Sequence, residues 1–365
     1  MRKLILLVVI ILSGCANDDT YVIGLSTTLS GTNASIGISE MYGAELAIKE
    51  INESGGVNGR NLVLEIRDDF ASSIEGIKAD NELKELGAVA IIGHGFSSVA
   101  KETVENANYN DILLISPSIG TDLLTNIDDL FIRLVPTAKY EAISVANKIL
   151  DSGTDKALLL YDEGNMALTS YHVESFKDVF ETNNKTTITK GFSSGNSDDY
   201  LEIVKLIKLN DIESIFIVAS SLDSANIIQG ARINNYKGEF HLSAWASSGD
   251  VQSKVGQFTE GIILYNFYNE FDVDEHFQKV KGDYFERYGS VMNMVAANAY
   301  DSVYMLAEAL EGMKDVTSTT LKKKIISIGH FNGVQSDYFI NLYGDVEKEI
   351  NQFVMKDNTI IIKEG

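Results

Sequence analysis

The sequence predicts an α/β fold made of two doubly wound parallel-sheet lobes. Short apolar runs recur at residues 21–25, 62–66, 88–92, 112–115, 157–161, 215–219 and 261–265. They lack in/out alternation, as expected of strands covered on both faces in parallel sheets. Most are separated by an amphipathic segment of helix length, which is the βα alternation of an open α/β sheet. About twelve strands are too many for one comfortable sheet, so two lobes are expected.

The elements follow in chain order. The run at 21–25 opens as a strand. Met41, Ala44, Ile48 and Ile51 then repeat at helical spacing, and Gly55-Gly56 ends that helix. The runs at 62–66, 88–92 and 112–115 continue the alternation. A seam between lobes is expected at 131–137, where Pro136 interrupts an extended stretch before a new helix. The runs from 157 to 265 build the second lobe. Ala299, Val303, Leu306 and Leu310 mark a late helix, and the tail from 331 to 362 reads as β-rich with a turn at Tyr343-Gly344-Asp345. No repeat of 20–50 residues and no low-complexity stretch is evident.

Composition narrows the function classes. The 365 residues include 30 basic and 52 acidic side chains, a net charge of -22. Such a surface repels phosphate backbones, so no nucleic-acid partner is expected. One cysteine excludes an internal disulfide and a cysteine-based zinc cluster. His94, His172, His241, His276 and His330 show no metal-ligand spacing and read as surface or satisfied histidines, so no metal and no cofactor is expected. Asp272-Val273-Asp274-Glu275-His276 lacks the glycine and distal glutamate of a calcium loop.

The amino terminus reads as a secretory signal. Met1-Arg2-Lys3 is positive, 4–12 is an unbroken apolar run, and Ser13-Gly14-Cys15 precedes a polar stretch. The apolar run is too short to span a bilayer, and no later stretch reaches that length. Leu12-Ser13-Gly14-Cys15 resembles the bacterial lipobox, whose cysteine becomes the lipidated first residue of the mature chain. On this reading 1–14 is a signal peptide and 15–20 a tether, with lipid on Cys15 holding the protein at the extracytoplasmic face of the cell membrane. Removal of Arg2 and Lys3 takes the mature charge from -22 to -24.

Ligands in such folds sit beyond the carboxyl ends of the strands. Gly93-His94-Gly95-Phe96-Ser97-Ser98 follows one apolar run and opens a helix, whose free N–H groups and dipole suit an anion. Ser97 reads equally as a helix N-cap. Ser116-Pro117-Ser118-Ile119-Gly120-Thr121 follows the next run and adds hydroxyls.

From 43–47 through Asn52-Glu53-Ser54-Gly55-Gly56-Val57-Asn58-Gly59 the chain resembles the bacterial type I solute-binding proteins, the leucine/isoleucine/valine-binding family of branched-chain amino-acid ABC transporters. Asp68-Asp69, Ile92-Gly93-His94 with Ser97-Ser98, and Ile115-Ser116-Pro117 continue the match in order. In the second half so do Asp223, Ala225, Gln229, Trp245, Glu260-Gly261 and Tyr300-Asp301. The resemblance spans essentially the whole mature chain. It implies a periplasmic binding protein type I fold, in which two lobes joined by three crossovers close on a ligand and present it to a permease and its ATPase. The crossovers are expected near Pro136, Tyr265 and Phe339. Lobe 1 is then 21–136 and 266–338, and lobe 2 is 137–265 and 339–365.

The resemblance also implies a site. Ser97, with Ser98 beside it, falls where the ligand carboxylate docks. Ser118 falls on a backbone contact, and the family's threonine falls on Gly120, next to Thr121. Ile36 takes the place of a cleft aromatic. Met166 and Ser220 take the places of two tyrosines, and Trp245 stands where an acidic residue binds the ligand's ammonium. A buried ammonium without a carboxylate is costly, so either Asp223 supplies the charge or the ligand is not an α-amino acid. Trp245 reads alternatively as a core indole or as a stacking surface, Met166 as core or cleft, and Asp223 as a helix cap.

Other classes fit less well. Gly93-x-Gly95-x-x-Ser98 is a near miss to the dinucleotide fingerprint, and Gly95-Phe96-Ser97-Ser98-Val99 lacks the last glycine of a serine-hydrolase elbow. The expectation is a non-enzymatic, lipid-anchored receptor for a small polar ligand, first of all an amino acid. A sensor for a separate signalling partner, or an amide or ester hydrolase acting through Ser97, are the alternatives.

Overall fold

The computed structural model describes residues 20–31, 34–247, 251–357 and 359–362. The signal segment, Cys15 and the rest of the tether before Thr20 lie outside the described residues.

The first sheet is built from β1 (Thr20–Thr27), β2 (Asn61–Asp68), β3 (Ala88–Gly93), β4 (Leu114–Ser116) and β5 (Phe131–Arg133). Their order is β2-β1-β3-β4-β5, all parallel. Between them run α1 (Ala34–Glu53), α2 (Ser73–Glu85) and α3 (Ser97–Tyr109). Ile23, Leu25, Ile91 and Ile92 are essentially inaccessible. Neighbouring residues on a strand face opposite sides of the sheet, so both faces are covered, as the unbroken apolar runs require.

The second sheet follows α4 (Ala138–Asp151). It runs through β6 (Lys156–Asp162), α5 (Met166–Thr182), β7 (Thr186–Phe192), α6 (Ser197–Leu209), β8 (Ser214–Val218), α7 (Ser221–Ile233), β9 (Glu239–Leu242), the short α8 (Ala244–Ser247) and α9 (Val251–Val255), and β10 (Ile262–Asn266). The chain then returns to the first lobe as α10 (Glu275–Tyr288), α11 (Met294–Leu310) and α12 (Ser318–Ile328). β11 (His330–Asn332), β12 (Asp337–Ile340) and β13 (Val346–Glu347) form a small antiparallel sheet, and β14 (Asn351–Lys356) and β15 (Thr359–Ile362) close the chain.

Two features depart from the expected plan. The second sheet, ordered β15-β14-β10-β9-β8-β6-β7, is parallel only from β10 to β7; the tail adds an antiparallel hairpin at its other edge. The last passage between lobes also falls later than Phe339. Ile340 and Val346 pack into the first lobe's core, and Arg133 holds Asp345 at 2.6 Å while its N–H donates to the Gly344 carbonyl at 3.0 Å. The chain therefore joins the second sheet only after Glu347, at β14. β7 and β9 were not evident as apolar runs: β7 is a half-exposed threonine-rich edge strand, and β9 has four residues.

α11 is buried on nearly every side, as its all-round apolar sequence demands. It crosses α1 so closely that a Cβ on Gly43 would lie 2.1 Å from the Ala296 carbonyl oxygen. Only glycine permits that approach. The contact fixes the amino-terminal end of α11 beside the carboxyl ends of β3 and β4.

Candidate ligand site between the lobes

The loops at the carboxyl ends of the two sheets face each other across a cavity of about 60 Å³. One wall carries Ile36 from α1, Gly95, Phe96 and Ser97 from the β3–α3 turn, Ser118 and Gly120 after β4, and Met294 and Val295 from α11. The other carries Glu141 from α4, Asn165 and Leu168 after β6, and Ala244 and Trp245 after β9. The connecting segment Val135-Pro136 closes one side. A larger hollow of about 370 Å³, lined by Ile51, Tyr304, Glu308, Phe331 and Tyr338 among others, lies wholly within the first lobe and shares none of these residues.

The first wall offers hydrogen-bond donors. Phe96 occupies the N-cap of α3 without a side-chain cap bond, so Ser97 is the first helical residue and not the cap. Ser97 is 3% exposed, and its hydroxyl takes no partner from the described protein. It stands beside the unpaired N–H groups of the first helical turn. The loop after β4 is pinned by Ser116, whose Oγ donates to the His94 carbonyl at 3.1 Å and accepts the Ile119 N–H at 2.9 Å. Asn298 on α11 adds a bond from its Nδ2 to the Pro117 carbonyl at 2.8 Å.

Behind this wall lies a buried charged cluster. Ser118 Oγ donates to Glu40 Oε1 at 2.8 Å. Burial pushes the Glu40 carboxyl up to about 7, opposed in part by the Thr27 and Ser118 hydroxyls. The His94 and Gly95 carbonyls also lie within reach of Ser118 Oγ, at 3.3 and 3.2 Å, so its proton has inward acceptors whatever the charge on Glu40. Next to it, His94 sits between Asp69 at 2.9 Å and Asp80 at 3.2 Å. Burial alone would lower its pKa, but the two carboxylates hold it up to about 10. His94 is thus the satisfied histidine expected.

The second wall offers acceptors. Thr137 caps α4, taking the Tyr140 N–H at 3.1 Å, which sets Glu141 one turn into the helix. Glu141 Oε1 accepts the Ala244 N–H at 2.6 Å, and Oε2 lies 3.1 Å from His172 Nε2. Asn165 is 5% exposed, and its side-chain oxygen has no hydrogen-bond partner among the described residues. Trp245 is half-buried, presents surface to the cavity and belongs to no core cluster.

Ile36, Ser97, Ser118 and Trp245 are therefore brought together, and the other expected residues are not. Ser98 is exposed and off the cavity wall. Thr121 is buried and caps a turn, accepting the Leu123 N–H at 3.3 Å, while its neighbour Gly120 reaches the cavity. Met166 is 45% exposed at the start of α5 and leaves the wall to Asn165 and Leu168. Ser220 is the N-cap of α7. Asp223 is saturated: it accepts from Ser194 at 2.8 Å, Ser220 at 2.6 Å, the Gly195 N–H at 3.1 Å and the Tyr200 hydroxyl. It has no capacity left for a ligand and does not reach the cavity. Glu141 and Asn165 escaped the sequence reading because each looks like ordinary helix-start chemistry; proximity to Pro136 was the only local signal for Glu141.

Comparison with known proteins agrees with this architecture. The profile of the family described as periplasmic binding protein matches residues 20–349. The Leu/Ile/Val-binding protein homolog 1 of Brucella abortus (strain 2308) is 24% identical over 92% of this chain and 90% of its own length. The substrate-binding protein LivJ from Streptococcus pneumoniae, solved with isoleucine, superposes with a TM-score of 0.84 at 21% identity, covering 93% of this chain and 97% of that one. A solute-binding protein from R. palustris, solved with benzoate, superposes with a TM-score of 0.82 at 18% identity over 94% and 95% of the two chains. With two α/β lobes meeting at a strand-end cavity, and with a family profile that spans nearly all of the described residues, this chain belongs to the periplasmic binding protein family.

Proposed function

We propose that this protein is the extracytoplasmic substrate-binding lipoprotein of an ABC importer, anchored through Cys15, which captures a small amino acid or related carboxylate by closure of its lobes and hands it to a permease driven by an ATPase. The observation that carries the reading is the inter-lobe cavity, with the Ser97 hydroxyl and the start of α3 beside Ser118 on one wall and Glu141 and Trp245 on the other. A ligand bridging both walls has more contacts with the closed form than with the open one, and that difference is what shifts the population. At about 60 Å³ as it stands, the cavity suits a compact ligand. Glu141 is the one titratable side chain among the described residues lining it, so Ser97 has neither a histidine nor a lysine beside it to act as a base. That disfavours the hydrolase alternative.

Mass spectrometry of what co-purifies, followed by calorimetry on wild type and Ser97→Ala, tests this. Removal of a hydroxyl that meets a buried carboxylate is expected to cost roughly 1–3 kcal/mol. Unchanged affinity within about twofold rejects the anion site. A second ligand class, an aromatic carboxylate, is favoured by one observation: the half-buried indole of Trp245 on the cavity wall, a surface on which a ring can stack. A melting-temperature rise with benzoate and none with amino acids selects it.

A further inference from the structure

Resting on that reading of the cavity, we infer that Glu141, with Asn165 beside the same cavity, is the recognition site for a ligand ammonium group, replacing the acid whose position Trp245 fills. Two observations converge. Glu141 is a carboxylate 6% exposed that lines the cavity. Its two oxygens each meet one partner, the Ala244 amide and the His172 imidazole, both of which can act as donors. With one partner each, both oxygens keep acceptor capacity for a further donor. Asn165, 5% exposed, presents a side-chain oxygen with no partner among the described residues. A buried acceptor left empty is costly, so it calls for a donor from the guest.

Both groups are acceptors on the second lobe, opposite the donors at Ser97 on the first. A primary ammonium brings three N–H donors and a positive charge and has no acceptor, so it complements this wall. A simple carboxylate such as benzoate would leave Asn165 unpaired and set its own charge or ring against Glu141. The polarity across the cavity therefore selects a zwitterion over an anion. It also orients it, with the carboxylate toward α3 and the ammonium toward α4. The indole of Trp245 is left to cover the apolar part of the guest.

The test is calorimetric titration of wild type, Glu141→Gln, Asn165→Leu and Ser97→Ala with L-alanine, L-leucine, and their deaminated counterparts propanoate and 4-methylpentanoate, with benzoate as a further probe. Glutamine keeps the shape and an acceptor for Ala244 while removing the charge. Wild type should bind at least one of the two amino acids at least 100-fold more tightly than its deaminated counterpart. Glu141→Gln should weaken the amino acid 10- to 100-fold and leave the acid within threefold, which erodes the preference. Asn165→Leu should do the same to a smaller degree, and it decides the matter alone if Glu141→Gln does not fold. Three results overturn the inference: equal binding of amino acid and deaminated acid, binding of benzoate with no binding of either amino acid, or an amino-acid affinity unchanged within twofold in the variants. Loss of both probe classes in Ser97→Ala supports the carboxylate end independently, and its absence rejects that end without touching Glu141.

Discussion

Glu40 is the most instructive residue to perturb, because it stands directly behind the cavity wall, bonded to Ser118, and its burial ties its charge state to stability. Its carboxyl lies at about 7 in the folded protein against an ordinary 4.5, raised by burial. The folded state thus holds the proton more tightly than the unfolded one. The stabilisation this confers is complete below about pH 4.5, declines as pH rises, and is exhausted above about pH 7. At about 1.36 kcal/mol per pH unit the loss comes to roughly 3 kcal/mol. Glu40→Gln removes the titration while keeping a polar partner for Ser118 Oγ. In urea unfolding, the difference between variant and wild type should therefore grow between pH 4.5 and 7 by up to about 3 kcal/mol in favour of the variant, and then level off. With about 2.1 cal/mol/K per residue of unfolding entropy, that corresponds to roughly 4 °C in melting temperature above pH 7. The difference is the quantity to read, since Asp301, pushed up to about 6 by burial, shapes both profiles alike, while the Asp69 and His94 charges that act on Glu40 are contained in the difference. Carboxylate affinity supplies a second readout. It should weaken as pH passes about 7 in wild type, when Glu40 becomes negatively charged behind the cavity wall, and it should stay level in the variant. A stability difference that is flat with pH, together with parallel affinity profiles, would show that Glu40 is neither protonated nor coupled to the site.

Two further predictions follow from packing. Asp223→Ala strips the common acceptor from Ser194, Ser220, Tyr200 and the Gly195 amide, and should destabilise the second lobe by about 3 kcal/mol or more while leaving ligand affinity within twofold; a loss of binding at unchanged stability would return Asp223 to the site. Gly43→Ala drives a methyl into the Ala296 carbonyl and should force α1 and α11 apart, at about 1–3 kcal/mol by thermal or urea unfolding; unchanged stability would mean that the two helices do not cross as described.

Much of the fold is legible in the sequence for a simple reason. A strand covered on both faces must be apolar throughout, so β1, β3, β6, β8 and β10 announce themselves as unbroken runs, and the loops at their carboxyl ends follow as the place for a ligand. Ser97 and Ser118 lie in those loops, and both line the cavity. Where one face stays open the signal fades, as in the threonine-rich edge strand β7, and where a strand is only four residues long, as in β9, composition says little.

The second wall of the site is a different matter. Glu141 and Asp223 are both acids in the first turn of a helix whose N-cap is a hydroxyl residue, Thr137 in one case and Ser220 in the other. Nothing local distinguishes them. Asp223 folds back onto its own cap and meets Tyr200 and Ser194 from the neighbouring segment, which consumes it. Glu141 meets the Ala244 amide, 103 residues away, at the edge of the cavity. The sequence alone thus determined which backbone segments form layers and on which side of them a guest can sit, because burial is written residue by residue in apolar patterning. Which carboxylate lines that cavity was decided only by tertiary structure, because it depends on partners brought together from distant parts of the chain.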